Sequence, residues 1–236
     1  MGKNTAKRTT GARTAAKPDG GGKGFLIAII AIVLVGAAAV ALLAAKRDSK
    51  VGEQTAAVQS EGEALPAFTA SGVSGSDDEA LGLVAPTLTG TTLSGDAITI
   101  GPDGEPKVIY FLAHWCAHCQ AEVPKIQQMI NDGSVPEGLQ IYAVSTAVDL
   151  TRGNYPPESW LDVEGFTPIT MRDDEGSPAL AAYGGSSFPY VVYLDGDNRV
   201  IARSSGVLDE ATILQLWGMT AANASLVDSD PAGTAE

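Results

Sequence analysis

The sequence predicts an α/β domain, a mixed central sheet flanked by helices, carried on one N-terminal transmembrane helix. Three observations predict it. Short apolar runs, such as residues 108–113 (Val-Ile-Tyr-Phe-Leu-Ala), alternate with segments whose apolar residues recur at helical spacing. The last two such runs flank a turn, which adds a hairpin to a strand–helix–strand order. Near the N-terminus, residues 25–45 carry no charge and no polar side chain.

Residues 1–24 hold six basic side chains (Lys3, Lys7, Arg8, Arg13, Lys17, Lys23) and one acid, Asp19. The stretch is rich in Thr, Ala and Gly and reads as a disordered basic tail. Residues 25–45 follow as an apolar helix long enough to cross a hydrocarbon core of roughly 30 Å. A cleaved signal peptide is the other reading, and Leu42-Leu43-Ala44-Ala45 leaves cleavage open. The run is longer than the usual apolar region of such peptides, about 7–15 residues. By the positive-inside rule the leader stays in the cytoplasm and the remainder is extracytoplasmic, at the cell membrane.

Residues 46–84 are Gly, Ser, Ala, Glu and Asp with few large apolar groups, and predict a flexible acidic linker. The globular domain is expected over residues 85–219. Strands are predicted at 97–100, 108–113, 139–144, 169–172, 190–194 and 199–202. Helices are predicted after Cys116, with Val123, Ile126, Met129 and Ile130 on one face, and at 157–163, 178–183 and 208–219. Asp132-Gly133 closes the first helix, and Asp195-Gly196-Asp197-Asn198 joins the hairpin. That turn lacks the later ligands of a calcium loop. Trp160 and Trp217 read as packing residues. Residues 220–236 are small and acidic and read as a disordered tail.

The charge is divided. The chain has 15 Lys and Arg against 28 Asp and Glu, but after Ala45 nine basic residues face 27 acids. Nucleic acid is excluded as a partner, because binding it needs phosphate neutralisation by Lys and Arg.

Two cysteines, Cys116 and Cys119, lie where a buried strand hands over to a helix, in Trp115-Cys116-Ala117-His118-Cys119. Two intervening residues put both thiols on the first helical turn. Free amides and the macrodipole at a helix start favour a thiolate, the reactive form of cysteine. His118 can offer that sulfur a hydrogen bond or a positive charge. Cys119 sits deeper and can close a disulfide. Two other readings stand beside this one: half of a zinc site, for which only His114 and His118 remain as partners, and a pair of core cysteines. His114 reads as a loop residue.

The strand and motif from Phe111 to Cys119, then Glu122, Val123 and Pro124, and the stretch from Ser187 to Val192 resemble the thioredoxin superfamily. Within it they are similar to the membrane-anchored TlpA/ResA-like thiol–disulfide oxidoreductases. The resemblance runs over roughly residues 85–219. It implies a thioredoxin-like fold, a catalytic pair Cys116 and Cys119, tuning by Trp115 and His118, and a cis bond between Phe188 and Pro189. Read from the sequence alone, Pro189 is a strand-entry proline. Tyr110 stands where thioredoxin has a buried Asp, which makes Glu122, one turn beyond Cys119, the replacement proton acceptor. A solvated carboxylate is the alternative.

The resemblance further implies disulfide exchange with exported proteins, reduction over oxidation, electrons from a membrane donor, and no cofactor. The Ala117-His118 pair leans toward oxidation, because a stabilised thiolate favours the reduced form of the protein. The alternative function is copper binding or delivery through Cys116, Cys119 and a histidine.

Overall fold

The computed structural model describes residues 58–223. The predicted leader, the membrane helix at 25–45, the first part of the linker and most of the C-terminal tail lie outside these residues. Among the described residues no helix is long and apolar enough to cross a membrane.

Among the described residues, nine strands and four helices follow in the order β1 (Gln59–Glu61), β2 (Gly72–Val73), β3 (Thr87–Thr91), β4 (Ala97–Ile100), β5 (Lys107–Leu112), α1 (Ala117–Asn131), β6 (Gln140–Ser145), α2 (Pro157–Val163), β7 (Ile169–Arg172), α3 (Pro178–Ala182), β8 (Tyr190–Leu194), β9 (Val200–Ser205) and α4 (Glu210–Ala221). The main sheet has strand order β2-β9-β8-β5-β6-β7. β5, β6 and β7 are parallel, while β8, β9 and β2 are antiparallel. A small antiparallel sheet, β1-β3-β4, lies apart from it in pairing.

β5 shows why the sheet is central. All six of its residues are buried, including Lys107, whose ammonium donates to Asp103 at 2.7 Å and to the Glu105 carbonyl at 2.8 Å. Its side chains alternate between two cores, as strand geometry requires. Val108, Tyr110 and Leu112 pack with Val123, Ile126, Met129, Trp160, Leu216 and Trp217 from α1, α2 and α4. Ile109 and Phe111 face the opposite side, against Leu88, Ile100, Leu180 and Tyr183. The predicted mixed sheet with helices on both faces is what forms.

The linker prediction is corrected over 58–84. Val58, Leu65, Phe68 and Ala80 are buried in the second of these cores. Backbone bonds hold the segment down: Leu65 N–H to Ala182 O at 2.9 Å, Phe68 N–H to Gly184 O at 2.8 Å, and Ser74 N–H to Arg203 O at 2.7 Å. Arg203, almost fully buried, pairs with Asp78, donates to Pro66 O at 2.7 Å, and lies 4.9 Å above the Phe68 ring. A Cβ at Gly184 would collide with the Pro66 carbonyl, so the strap passes where only glycine fits. Composition misleads here because four apolar residues, backbone amides and one ion pair do the anchoring within a polar background.

The strap also supplies β2, which pairs with β9 at one margin of the main sheet. At the other margin, Thr92 bridges Met171 of β7, and Leu93 N–H donates to Thr170 O at 3.0 Å. At the C-terminal end the boundary moves too: Thr220 is buried in α4, its hydroxyl bonded to Leu216 O at 2.7 Å.

Candidate functional site

The chain leaves β5 through Ala113, His114 and Trp115. Cys116 N–H donates to Ala113 O at 3.0 Å, which closes a turn and delivers Cys116 to the start of α1. Cys116 is the N-cap residue, extended at φ −79° and ψ 119°. The residue therefore adjoins the first amides of the helix, which have no acceptor within it, although its side chain makes no cap hydrogen bond to them. The helix stops where the sequence places its end: Gly133, at φ +71°, lets Ser134 N–H reach Met129 O at 3.0 Å.

The two thiols differ in access. Cys116 is half-buried and Cys119 is buried, and Cys116 packs against the core that holds Cys119. The Cys116 thiol also donates to the Phe188 carbonyl at 3.7 Å. The Phe188–Pro189 bond is cis, and so is Tyr155–Pro156, which nothing in the sequence signalled. Burial pushes the Cys119 thiol far above its ordinary value; the Ala113 amide opposes this, and Cys116 and Glu122 add to it.

Glu122 is buried beneath the pair, one turn beyond Cys119. Burial raises its carboxyl above the usual range, against the pull of Lys125 and the Leu208 amide. Lys125 Nζ donates to Glu122 at 3.0 Å and to Leu208 O at 2.6 Å. The solvated alternative for Glu122 is thus removed. Tyr110, in the place of thioredoxin's aspartate, is buried and accepts a bond from Trp217 Nε1 at 3.0 Å. Trp217 packs in this core, as the sequence predicts, and also holds the Tyr110 hydroxyl.

His118 is exposed, and among the described residues none hydrogen-bonds to it. Two positions after Cys116, it leaves the helix on a different side. Trp115 lies beside the pair. Its Nε1 donates to Ala147 O at 2.7 Å, and its ring meets the Phe188 ring edge-on at 5.8 Å.

His114 carries a role that sequence reasoning missed. It is fully buried. Its Nδ1 bonds Gly153 O at 2.8 Å, and its Nε2 accepts from Asp149 N–H at 3.1 Å, which fixes the tautomer with the proton on Nδ1. Its carbonyl accepts from Gln120 Nε2 at 2.9 Å and Asn154 Nδ2 at 3.5 Å. His114 and Trp115 together anchor the loop 147–155 beside the cysteines. The partners lie more than thirty residues away, so no local pattern could reveal them.

No family model matches the sequence, and no curated protein does. Solved structures do match. A proposed protein disulfide isomerase from Bacteroides thetaiotaomicron superposes with a TM-score of 0.51 at 19% identity, over 65% of this chain and 95% of that one. A proposed thioredoxin from Neisseria meningitidis does so with 0.50 at 21% identity, over 60% and 91%. The fold is thioredoxin-like. The thioredoxin domain of a thiol-disulfide oxidoreductase from Bacteroides vulgatus is also similar, at a TM-score of 0.49 and 20% identity, over 60% of this chain and 98% of its own. Within this thioredoxin-like fold, Cys116, Cys119, Trp115, Glu122, Phe188 and Pro189 gather at one place, and His118 stays on its exposed side.

Proposed function

We propose that this chain is a TlpA/ResA-like thiol–disulfide oxidoreductase acting on exported proteins. The observation that carries the reading is the asymmetry of the pair: a partly exposed Cys116 at a helix start, one turn from a buried Cys119 whose thiol resists ionisation. The Cys116 thiolate attacks one sulfur of a substrate disulfide. That S–S bond breaks, its electron pair leaves on the other sulfur, and a proton joins it. A mixed disulfide then links Cys116 to the substrate. Glu122 takes the proton of Cys119, whose sulfur attacks Cys116 and displaces the second substrate thiolate. Two electrons have passed to the substrate, and a Cys116–Cys119 disulfide remains.

Reduction is the favoured direction, with a membrane electron donor restoring the dithiol; the resemblance supports this. The uncharged run at 25–45 behind a basic leader supports a single-pass anchor, with the leader cytoplasmic and the domain outside. The copper alternative needs a third soft donor. Both ring nitrogens of His114 are engaged, and among the described residues no group of three potential ligands gathers.

Cys119→Ala tests the reading. It removes the resolving thiol, so mixed disulfides with exported proteins should accumulate on Cys116 and vanish with reductant or with an added Cys116→Ala. Absence of any such adduct would refute the proposal.

A further inference from the structure

The loop 147–155, between β6 and α2, places several apolar side chains on the surface. Of the eleven large exposed hydrophobic residues in the described structure, three fall in this short loop: Val148, Leu150 and Tyr155, with Leu150 70% exposed. Only the adjacent pair Leu83 and Val84 is comparable, and it lies on another segment; a cluster of exposed apolar residues marks a contact surface where single ones do not. The loop is tied by three hydrogen bonds to Trp115 and His114, the two residues before the nucleophile.

A cation stands in the same place. Residues 58–223 contain six basic side chains. Lys107, Lys125, Arg172 and Arg203 pair with Asp103, Glu122, Glu158 and Asp78, and Arg199 donates to Gly82 O. Arg152 alone lies over the ring of Trp115, 4.4 Å from its centroid. Its pairing with Asp149 is loose, at 3.6 Å with both side chains about half exposed. An exposed pair of that kind contributes little and is readily exchanged for another carboxylate. Trp115 in turn meets Phe188, whose carbonyl accepts from Cys116. Arg152, Trp115, Phe188 and the nucleophile are therefore contiguous.

We infer that the loop 147–155 is a substrate rim, selecting polypeptides whose reactive cysteine is flanked by an apolar side chain and a carboxylate. The inference rests on the disulfide-exchange reading of Cys116 and names the class of its substrate. The apolar neighbour lies on Val148 and Leu150, and the carboxylate replaces Asp149 at Arg152. Ring stacking keeps the guanidinium in place without a partner, so little ordering is lost on binding.

The test uses reduced protein and short peptides whose single cysteine is capped as a mixed disulfide with a coloured aryl thiol. Attack by Cys116 on the peptide sulfur breaks the S–S bond and releases the aryl thiolate, read by absorbance. The peptides carry Leu or Ser on one side of cysteine and Glu or Lys on the other, made in both orders. The Leu/Glu peptides should react fastest, and Glu should exceed Lys by about two- to five-fold, the factor an exposed ion pair supports. Arg152→Glu should invert the Glu/Lys order. Leu150→Ser should erase the Leu/Ser preference and leave the Glu/Lys order intact. Both positions are exposed, so neither change threatens the fold. An unchanged Glu/Lys ratio in Arg152→Glu would overturn the inference. So would unaltered peptide selectivity in Leu150→Ser accompanied by loss of binding to phosphatidylglycerol vesicles, which would make the rim a lipid contact. If folded wild-type protein exchanged with none of the peptides, the proposed function itself would fall, and the rim with it.

Discussion

Asp78→Asn leaves a guanidinium buried without its counter-charge. Arg203 and Asp78 have side-chain exposures of 1% and 6%, so both groups are largely withdrawn from water. Asp78 accepts from Arg203 Nε at 2.9 Å as well as from a terminal nitrogen of the guanidinium, and from Ala80 N–H at 3.1 Å. Removing one partner of such a pair costs about 3–5 kcal/mol. At about 2 kcal/mol per molar urea, the unfolding midpoint should fall by roughly 1.5–2.5 M. Urea titration followed by tryptophan fluorescence and circular dichroism measures this. Replacing both residues, with Asp78→Leu and Arg203→Met, should cost less than Asp78→Asn, because no charge is left stranded. A chain beginning at residue 85 should lose at least as much as Asp78→Asn, since Leu65 and Phe68 go with the strap. The pH dependence has a fixed sign. Burial acts to raise the Asp78 carboxyl, but the Arg203 hydrogen bond, the Ala80 amide and the guanidinium charge outweigh it and hold the value below the ordinary range. A depressed folded value stabilises above the unfolded value of about 3.9 and is lost as pH falls through the folded one. The gap between wild type and Asp78→Asn should therefore narrow only below about pH 4. A loss under about 1 kcal/mol at neutral pH, as for a surface pair, would refute the reasoning.

Glu122→Gln should slow the resolution of mixed disulfides on the order of 10²-fold near neutral pH and remove the acidic limb of its pH profile. Lys125→Met should move that limb to higher pH, because the carboxyl raised by burial loses its counter-charge. Rates unchanged between about pH 5 and 9 would leave Glu122 without a part in proton transfer. The anchor proposal predicts that protease added to spheroplasts digests the domain while the leader survives; a protected domain, or a released form starting near residue 46, would count against it.

The parts of the fold legible in the sequence were those whose apolar residues follow a run or a period. Residues 108–113 show no polar interruption because β5 is covered on both faces, and α2 and β7 begin and end where their apolar pattern does. The strap was not legible, because its buried residues, Val58, Leu65, Phe68 and Ala80, follow no period. Its tie to Arg203 spans 125 positions. In the site, Cys116, Cys119 and Glu122 share a helix, so spacing alone brings them together. The same geometry argues against contact between Cys116 and His118, two positions apart. His114 offered no sign, since a buried imidazole is defined by its distant partners Asp149 and Gly153.

An open sheet margin is an invitation to any unpaired strand that meets it. Both margins of this sheet are shut by its own chain. The strap lays Gly72 and Val73 along β9, and Thr92 and Leu93 close over β7. Neither cover is long enough to be a template itself. The sheet thus offers a foreign strand no long run of unpaired backbone, and loss of the strap would uncover the β9 margin.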